Sequence, residues 1–267
     1  AQSMAKVEAI LPRLHVLVLG PGMGRDPLVL DLAAEVINAC RRRGLPLVVD
    51  ADGLFLVAQH PNLVQDFPQL LLTPNIVEFR RIQQRVLEIA APTTHETCSS
   101  GDGSEMDQLS SEVLQLSRLL GNVGIMLKGE RDVISDGREV ALSPRGGAPR
   151  RCGGIGDILA GSAAVFLHWA SGQTGEHSAG EPGGATGDGV LSKTLLAPLA
   201  ASFLVKQSAQ VAFEEHRRSM MAPDILDALG GALQEAFPSQ APPRDPALFG
   251  GVGSSGFAAR DDGAAAE

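Results

Sequence analysis

The sequence has few cysteines, fewer basic than acidic residues, and no long apolar run. Its three cysteines, Cys40, Cys98 and Cys152, lie far apart without metal-type spacing, which favours a reducing, intracellular compartment. The net charge of −9 argues against nucleic acid as a main partner. Because no apolar run could span a bilayer, we expect no membrane partner either. We therefore expect a cytoplasmic location, with an organelle as the alternative.

Short apolar runs alternate with segments of helical periodicity along the chain. Strands are predicted over residues 14–20, 45–50, 70–73 and 123–128, and a hairpin around Asp136-Gly137. Helices are predicted over 27–43, 78–89, 113–120, 194–216 and 224–237. This alternation predicts an α/β fold, a mostly parallel sheet flanked by helices on both faces.

The chain is expected to form one domain over residues 1–238. Two polar, glycine- and serine-rich insertions, at about 93–107 and 171–189, are predicted to be unstructured. Residues 239–267 form a Pro/Gly/Ala-rich tail that is predicted to be disordered.

The most informative segment is the glycine loop at residues 153–157, Gly-Gly-Ile-Gly-Asp, which precedes an apolar helical run. Glycines let the backbone approach a ligand closely, and the free amides of a helix start favour a phosphate. A carboxylate next to a bound phosphate is unfavourable, so Asp157 is better explained as a base for a hydroxyl that is being phosphorylated. The alternative is that Asp157 is a plain N-cap.

Other polar and glycine-rich signals fall where the predicted strands end. They are residues 20–24, 50–53, 73–75 and 128–130. In parallel sheets ligands bind outside the carboxyl ends of the strands, so this shared placement predicts one site.

Five ordered blocks resemble the ATP-dependent NAD(P)H-hydrate dehydratases of the ribokinase-like superfamily. They are GPGMGRD (20–26), VVDADGL (48–54), LTPNIVEFRR (72–81), MLKGERDVISDG (126–137) and RRCGGIGDILAGSAAVFLHWA (150–170). The resemblance covers residues 7–170 well and the two late helices more loosely.

The resemblance implies a hydro-lyase that uses ATP, with Mg²⁺, to repair hydrated NADH or NADPH. The added hydroxyl is phosphorylated, and phosphate then leaves as the ring is regenerated.

The resemblance also implies residue roles. Asp157 would be the base and touch the substrate. Other substrate contacts would come from Gly22, Asn75, Ile76, Val77, Glu78, Phe79, Arg80 and Arg81. ATP would be held by Lys128, Gly129, Glu130, Arg131, Asp132, Gly147, Ala148, Pro149, Arg150, Arg151, Cys152, Gly153, Gly154, Ile155 and Gly156.

Several of these residues have simpler interpretations. Asn75 could be a turn residue after a proline, and Glu78 and Arg81 could pair with each other. Lys128 could be a surface lysine. Asp50 and Asp52 could orient a loop, bind a metal or cap a helix.

Family members normally have a further stretch before the point where this chain begins. We therefore expect the sheet to lack strands and to expose an edge. The runner-up functions are a kinase of a small alcohol, of thiazole or pyrimidine type, and a catalytically impaired fragment that acts as a binding module. Small molecules are the expected partners, and both a monomer and a homo-oligomer stay open.

Overall fold

The computed structural model describes residues 2–90, 104–144, 146–172 and 192–238. Its strands are β1 (Leu17–Leu19), β2 (Leu47–Val49), β3 (Leu70–Leu72), β4 (Gly124–Leu127), β5 (Val133–Ser135) and β6 (Val140–Leu142). Its helices are α1 (Gln2–Ile10), α2 (Pro27–Arg43), α3 (Asp52–Gln59), α4 (Ile76–Ala90), α5 (Glu105–Leu119), α6 (Ile155–Gly172), α7 (Lys193–His216) and α8 (Ala222–Ala236).

The strands form a six-stranded sheet in the order β1-β2-β3-β4-β5-β6. β1 to β4 are parallel, whereas β5 and β6 are antiparallel and form the hairpin predicted around Asp136-Gly137. The predicted fold class, a mostly parallel sheet covered by helices on both faces, is confirmed.

The sheet separates two apolar layers. Because side chains alternate across a strand, Leu47 and Val49 face one layer while Val48 between them faces the other. The first layer contains helices α1 to α5, and the second contains α6, α7 and α8. Burial on both faces explains why the parallel strands are continuous apolar runs.

Local signals fix the ends of α2, whose predicted bounds match the structure. The Asp26 side chain accepts a hydrogen bond from Leu28 N at 2.9 Å, and Pro27 occupies the first turn. Gly44 ends the helix with φ 62°, in the left-handed region that favours glycine.

Other boundaries differ from the prediction. α5 starts eight residues earlier than the predicted 113, because Ser104 and Asp107 form a capping box. Residues 105–107 are therefore helical, and residues 171–172 form the end of α6, although both stretches were predicted to be unstructured. Helices α1 and α3 were not predicted, since each is short and its polar start resembles a turn. The rest of the two insertions and the predicted tail lie outside the described residues.

The two edges of the sheet are β1 and β6. Over the described ranges β1 pairs only with β2, so its other side has no strand partner. An apolar groove of about 330 Å³ lies beside it, lined by residues of α1, β1 and α2.

In the described ranges, none of the helices combines the length and the hydropathy needed to cross a bilayer.

Asp136, at the tip of the hairpin, joins it to the start of α7. Its carboxylate accepts hydrogen bonds from Ser192 Oγ at 2.6 Å, from Thr194 Oγ1 at 3.2 Å, and from the backbone amides of Arg138 and Glu139. Burial raises the pKa of Asp136, but these hydrogen bonds outweigh it and hold the pKa below its ordinary value.

We predict that Asp136→Asn lowers the free energy of unfolding by about 1–3 kcal/mol at neutral pH. The folded state binds fewer protons than the unfolded chain, so this stabilisation is present above the unfolded pKa and is lost as pH falls through the folded pKa. The gap to wild type should therefore shrink below about pH 4. Chemical unfolding across pH measures it, with Asp31→Asn on the exposed face of α2 as the control. A gap that persists at low pH would contradict the role of the charge.

Candidate functional site

The carboxyl ends of the parallel strands converge on a buried ion pair. Lys128 follows β4, Asp50 follows β2, and Lys128 Nζ donates a hydrogen bond to Asp50 Oδ1 at 2.6 Å. Asp50 Oδ1 also accepts from Ala51 N at 2.8 Å, and the residue is 2% exposed. The side chain of Lys128 is 21% exposed, so it still reaches solvent. Because its ammonium is paired with a buried carboxylate, Lys128 is not an ordinary surface lysine.

The glycine loop lies directly against this pair. A Cβ placed on Gly156 would be 3.7 Å from both Asp50 Oδ2 and Lys128 Nζ. Gly154 has φ 93°, which a residue with a side chain rarely adopts. The start of α6 therefore lies close to the end of the Lys128 side chain, and the free amides of a helix start favour an anion.

Asp157 lies in the first turn of α6, which begins at Ile155. It is the third residue of the helix, so it does not occupy the cap position. Among the residues that the structure describes, its exposed side chain has no hydrogen-bond partner. It lines a cavity of about 440 Å³ together with residues of α6 and α8. A carboxylate without such partners is available to accept a proton.

The loop at residues 20–26 is held by Asp52. The carboxylate of Asp52 accepts from Gly24 N at 3.0 Å and from Arg25 Nε at 2.7 Å. Gly20 has φ 122°, and a Cβ on it would lie 1.8 Å from Asp50 O. The contact requires glycine there, and Asp52 orients this loop. Gly22, with φ 65°, is at the tip of the loop.

The segment 75–81 forms the start of α4. Asn75 Oδ1 accepts from Val77 N at 2.9 Å and from Glu78 N at 3.0 Å, and the Glu78 carboxylate accepts from Asn75 N at 2.8 Å. Glu78 thus caps the helix rather than pairing with Arg81. Phe79 is fully buried in the core, so its side chain is not available to a ligand.

Arg80 is already paired within this region. Its Nη1 contacts Glu112 Oε2 at 2.5 Å and Gln83 Oε1 at 2.7 Å. Arg81 is exposed, as are Ile76 and Val77. The segment therefore offers a ligand mostly the surface of its first turn.

Two neighbouring cavities share Asn75, Lys128, Gly129 and Arg151. The first, about 280 Å³, brings together many residues predicted for ATP with four that were not predicted. It is lined by Asn75, Lys128, Gly129, Asp132, Arg151, Cys152, Ile155, Gly156, Leu159, Ser202, Val205 and Lys206. The second, about 450 Å³, is more polar and includes Ile76, Arg80 and Arg131.

Some predicted residues line neither cavity. For the substrate these are Gly22, Val77, Glu78, Phe79, Arg81 and Asp157, and for ATP they are Glu130, Gly147, Ala148, Pro149, Arg150, Gly153 and Gly154. Gly147 nevertheless lies near the first cavity, since a Cβ on it would be 3.5 Å from Lys206 Cγ. The α7 residues Ser202, Val205 and Lys206 were missed because they lie on a helix outside the motif blocks.

No group of three His, Cys, Asp or Glu side chains that could hold a metal is found in the described part of the chain. Asp50 and Asp52 are both bonded to cationic side chains, so neither is a free metal ligand here.

The fold is that of ribokinase-like proteins. The structure is similar to a ribokinase-like superfamily protein from Enterococcus faecalis, with a TM-score of 0.58 and 20% identity, over 88% of this chain and 68% of the other. It is also similar to a hydroxyethylthiazole kinase from Pyrococcus horikoshii, with a TM-score of 0.60 and 15% identity, over 86% and 75% of the two chains.

The chain belongs to the NAD(P)H-hydrate dehydratase family, whose model matches residues 1–230. It is 40% identical over 236 residues to the ATP-dependent (S)-NAD(P)H-hydrate dehydratase of Bos taurus, covering 88% of this chain and 65% of the relative. It is 39% identical over 237 residues to the enzyme of that name from Vitis vinifera, covering 89% and 62%. The chain thus spans somewhat less than two thirds of the length of these relatives.

The close contact between the ends of β1 and β2 generates a stability prediction. A Cβ on Gly53 would lie 2.7 Å from Val49 Cγ1 and 2.9 Å from Leu19 O, whereas one on Gly230 in α8 meets nothing within 4 Å. Gly53→Ala should therefore lower the free energy of unfolding by about 1–3 kcal/mol. The matched control Gly230→Ala should raise it by up to about 1 kcal/mol. Urea unfolding midpoints compare the two, and equal shifts would refute the packing argument.

Proposed function

We propose that this protein is a hydro-lyase that uses ATP to dehydrate hydrated NADH or NADPH. The observation that carries the proposal is that the first turn of α6 combines two groups. Its glycine-loop amides lie beside Lys128 and would bind phosphate, and the Asp157 carboxylate follows them in the same turn, with no hydrogen-bond partner among the described residues. A phosphoryl transfer to a hydroxyl needs both groups close together. The family membership supports the same reaction.

Backbone amides and a lysine would bind the phosphoryl group that is transferred. The amides of Gly154, Gly156 and Asp157 receive the charge of the transferring phosphoryl group, and Lys128 supplies a cation that Asp50 holds in place. Groups held in this way would need little reorganisation during the reaction.

Asp157 would activate the substrate hydroxyl. Its carboxylate accepts the proton as the hydroxyl oxygen attacks the γ-phosphorus of ATP, and ADP leaves. The phosphate ester is a far better leaving group than hydroxide. Loss of phosphate with a ring proton then restores the double bond, which completes a net dehydration.

ATP would occupy the first cavity and its surroundings, using the segments 128–132 and 147–156. The hydrated dinucleotide would contact Gly22, the exposed part of segment 75–81, and Asp157. Within that segment Phe79 would contribute backbone only, because its side chain is in the core.

Magnesium enters the proposal as the counter-ion of ATP. Mg²⁺ commonly keeps several waters and binds through substrate phosphates with one or two carboxylates. The ion would offset phosphate charge. The proton transfer stays with Asp157.

The remaining expectations also stay part of the proposal. They are one catalytic domain over residues 1–238, a cytoplasmic location, small-molecule partners only, and a homo-oligomer as one candidate assembly.

The direct test follows the absorbance of reduced nicotinamide. Hydrated NADPH should regain that absorbance only when ATP is present, with one inorganic phosphate released per ring restored. Recovery without nucleotide would refute ATP-driven dehydration. Accumulation of a stable phosphorylated alcohol from a thiazole or pyrimidine substrate would favour the kinase alternative.

The variant Asp157→Asn distinguishes a catalytic base from a residue with only a structural role. The substitution keeps size and polarity but removes the proton acceptor, so turnover should fall by about 10²–10⁴-fold. The dissociation constant of ATP should change little, because backbone amides and Lys128 are untouched. Asp227→Asn, an exposed charge on the neighbouring helix α8, is the control and should leave turnover unchanged. If Asp157→Asn stays within a few-fold of wild type, Asp157 is not the base.

A further inference from the structure

The helix α7 forms one wall of the first cavity through Ser202, Val205 and Lys206. These residues lie about 70 positions after the turn at 128–132 that they face, so only the fold brings them together. Their polar contacts go to that turn and to Ser143, which follows β6.

Lys206 contacts both this turn and Ser143. Its Nζ donates to Glu130 O at 2.8 Å and to Ser143 Oγ at 2.7 Å, and it lies 3.3 Å from Asp132 Oδ2. Two of the three ammonium donors thus have hydrogen-bond acceptors, and the Asp132 carboxylate balances the charge. Lys206 therefore acts through the turn rather than as a free cation for phosphate.

Asp132 is the acidic partner of Lys206 within the turn. It is 3% exposed, its Oδ1 accepts from Gly129 N at 2.8 Å, and its Oδ2 accepts from Ser202 Oγ at 2.5 Å. The carboxylate thus closes the turn that begins at Lys128. Without Lys206 this buried charge would lose its counter-ion, and the turn would lose the hydrogen bond that ties Glu130 O to α7.

We propose that Lys206, with Ser202, is a positioning residue for ATP. It fixes the turn at 128–132 to α7 and thereby sets the first cavity and the approach of Lys128. The inference rests on the proposed function, since it concerns the nucleotide site of that reaction. It predicts an effect on nucleotide affinity and a much smaller effect on the chemical step.

The test measures ATP binding by calorimetry, separately from turnover. Lys206→Met should raise the dissociation constant of ATP by about tenfold or more, because a displaced turn would cost Lys128 its charged hydrogen bond to phosphate. Its turnover at saturating ATP should stay within a few-fold of wild type, the opposite of Asp157→Asn. Ser202→Ala, which removes one hydroxyl, should weaken binding in the same direction and serves if Lys206→Met does not fold.

Asp136→Asn is the matched control. It also breaks a contact between α7 and the β5–β6 hairpin, but at the start of the helix, away from the cavity. It should lower stability and leave the ATP dissociation constant unchanged. Wild-type affinity in both Lys206→Met and Ser202→Ala, or an equal loss in Asp136→Asn, would overturn the inference. Failure of wild type to restore hydrated NADPH, with ATP binding intact, would instead overturn only the proposed reaction.

Discussion

The site depends on the ion pair between Lys128 and Asp50. It links the ends of β2 and β4 across β3, and Lys128 N donates to Pro74 O at 2.8 Å as it passes. A carboxylate as buried as Asp50 is costly without a cation. The pair therefore fixes Lys128 at the sheet edge, and the glycine at 156 lets helix α6 approach it.

The change from parallel to antiparallel pairing at β4 makes room for this arrangement. Parallel strands bring their carboxyl ends to one edge, whereas β5 runs back from it. The short turn between β4 and β5 therefore remains at the site, with Asp132 inside it. The turn is bonded to Ser143 after β6, and helix α7 supplies further partners that hold it.

Much of this could be predicted from the sequence, and the exceptions have physical causes. The apolar runs predicted the sheet, and the bounds of α2 follow from Asp26, Pro27 and Gly44, because those signals are local. The cluster of strand ends could be predicted from the parallel topology. The contacts of Lys206 could not, since they join residues distant in sequence through a helix without a motif. Likewise, the segment 75–81 appears as one block in sequence, but helical periodicity turns Phe79 into the core and leaves Asn75 at the surface.

The charges of the site are divided in a way that suits a phosphoryl transfer. The Asp50 carboxylate fixes Lys128, so the lysine would not have to move to meet a phosphate. The same carboxylate balances part of its positive charge. In the proposed reaction the helix amides would supply the rest of the attraction for phosphate. Asp157 lies on the same helix turn, yet, within the described ranges, no cation pairs with it. The same first turn of α6 can therefore attract an anion with its backbone and accept a proton with its side chain.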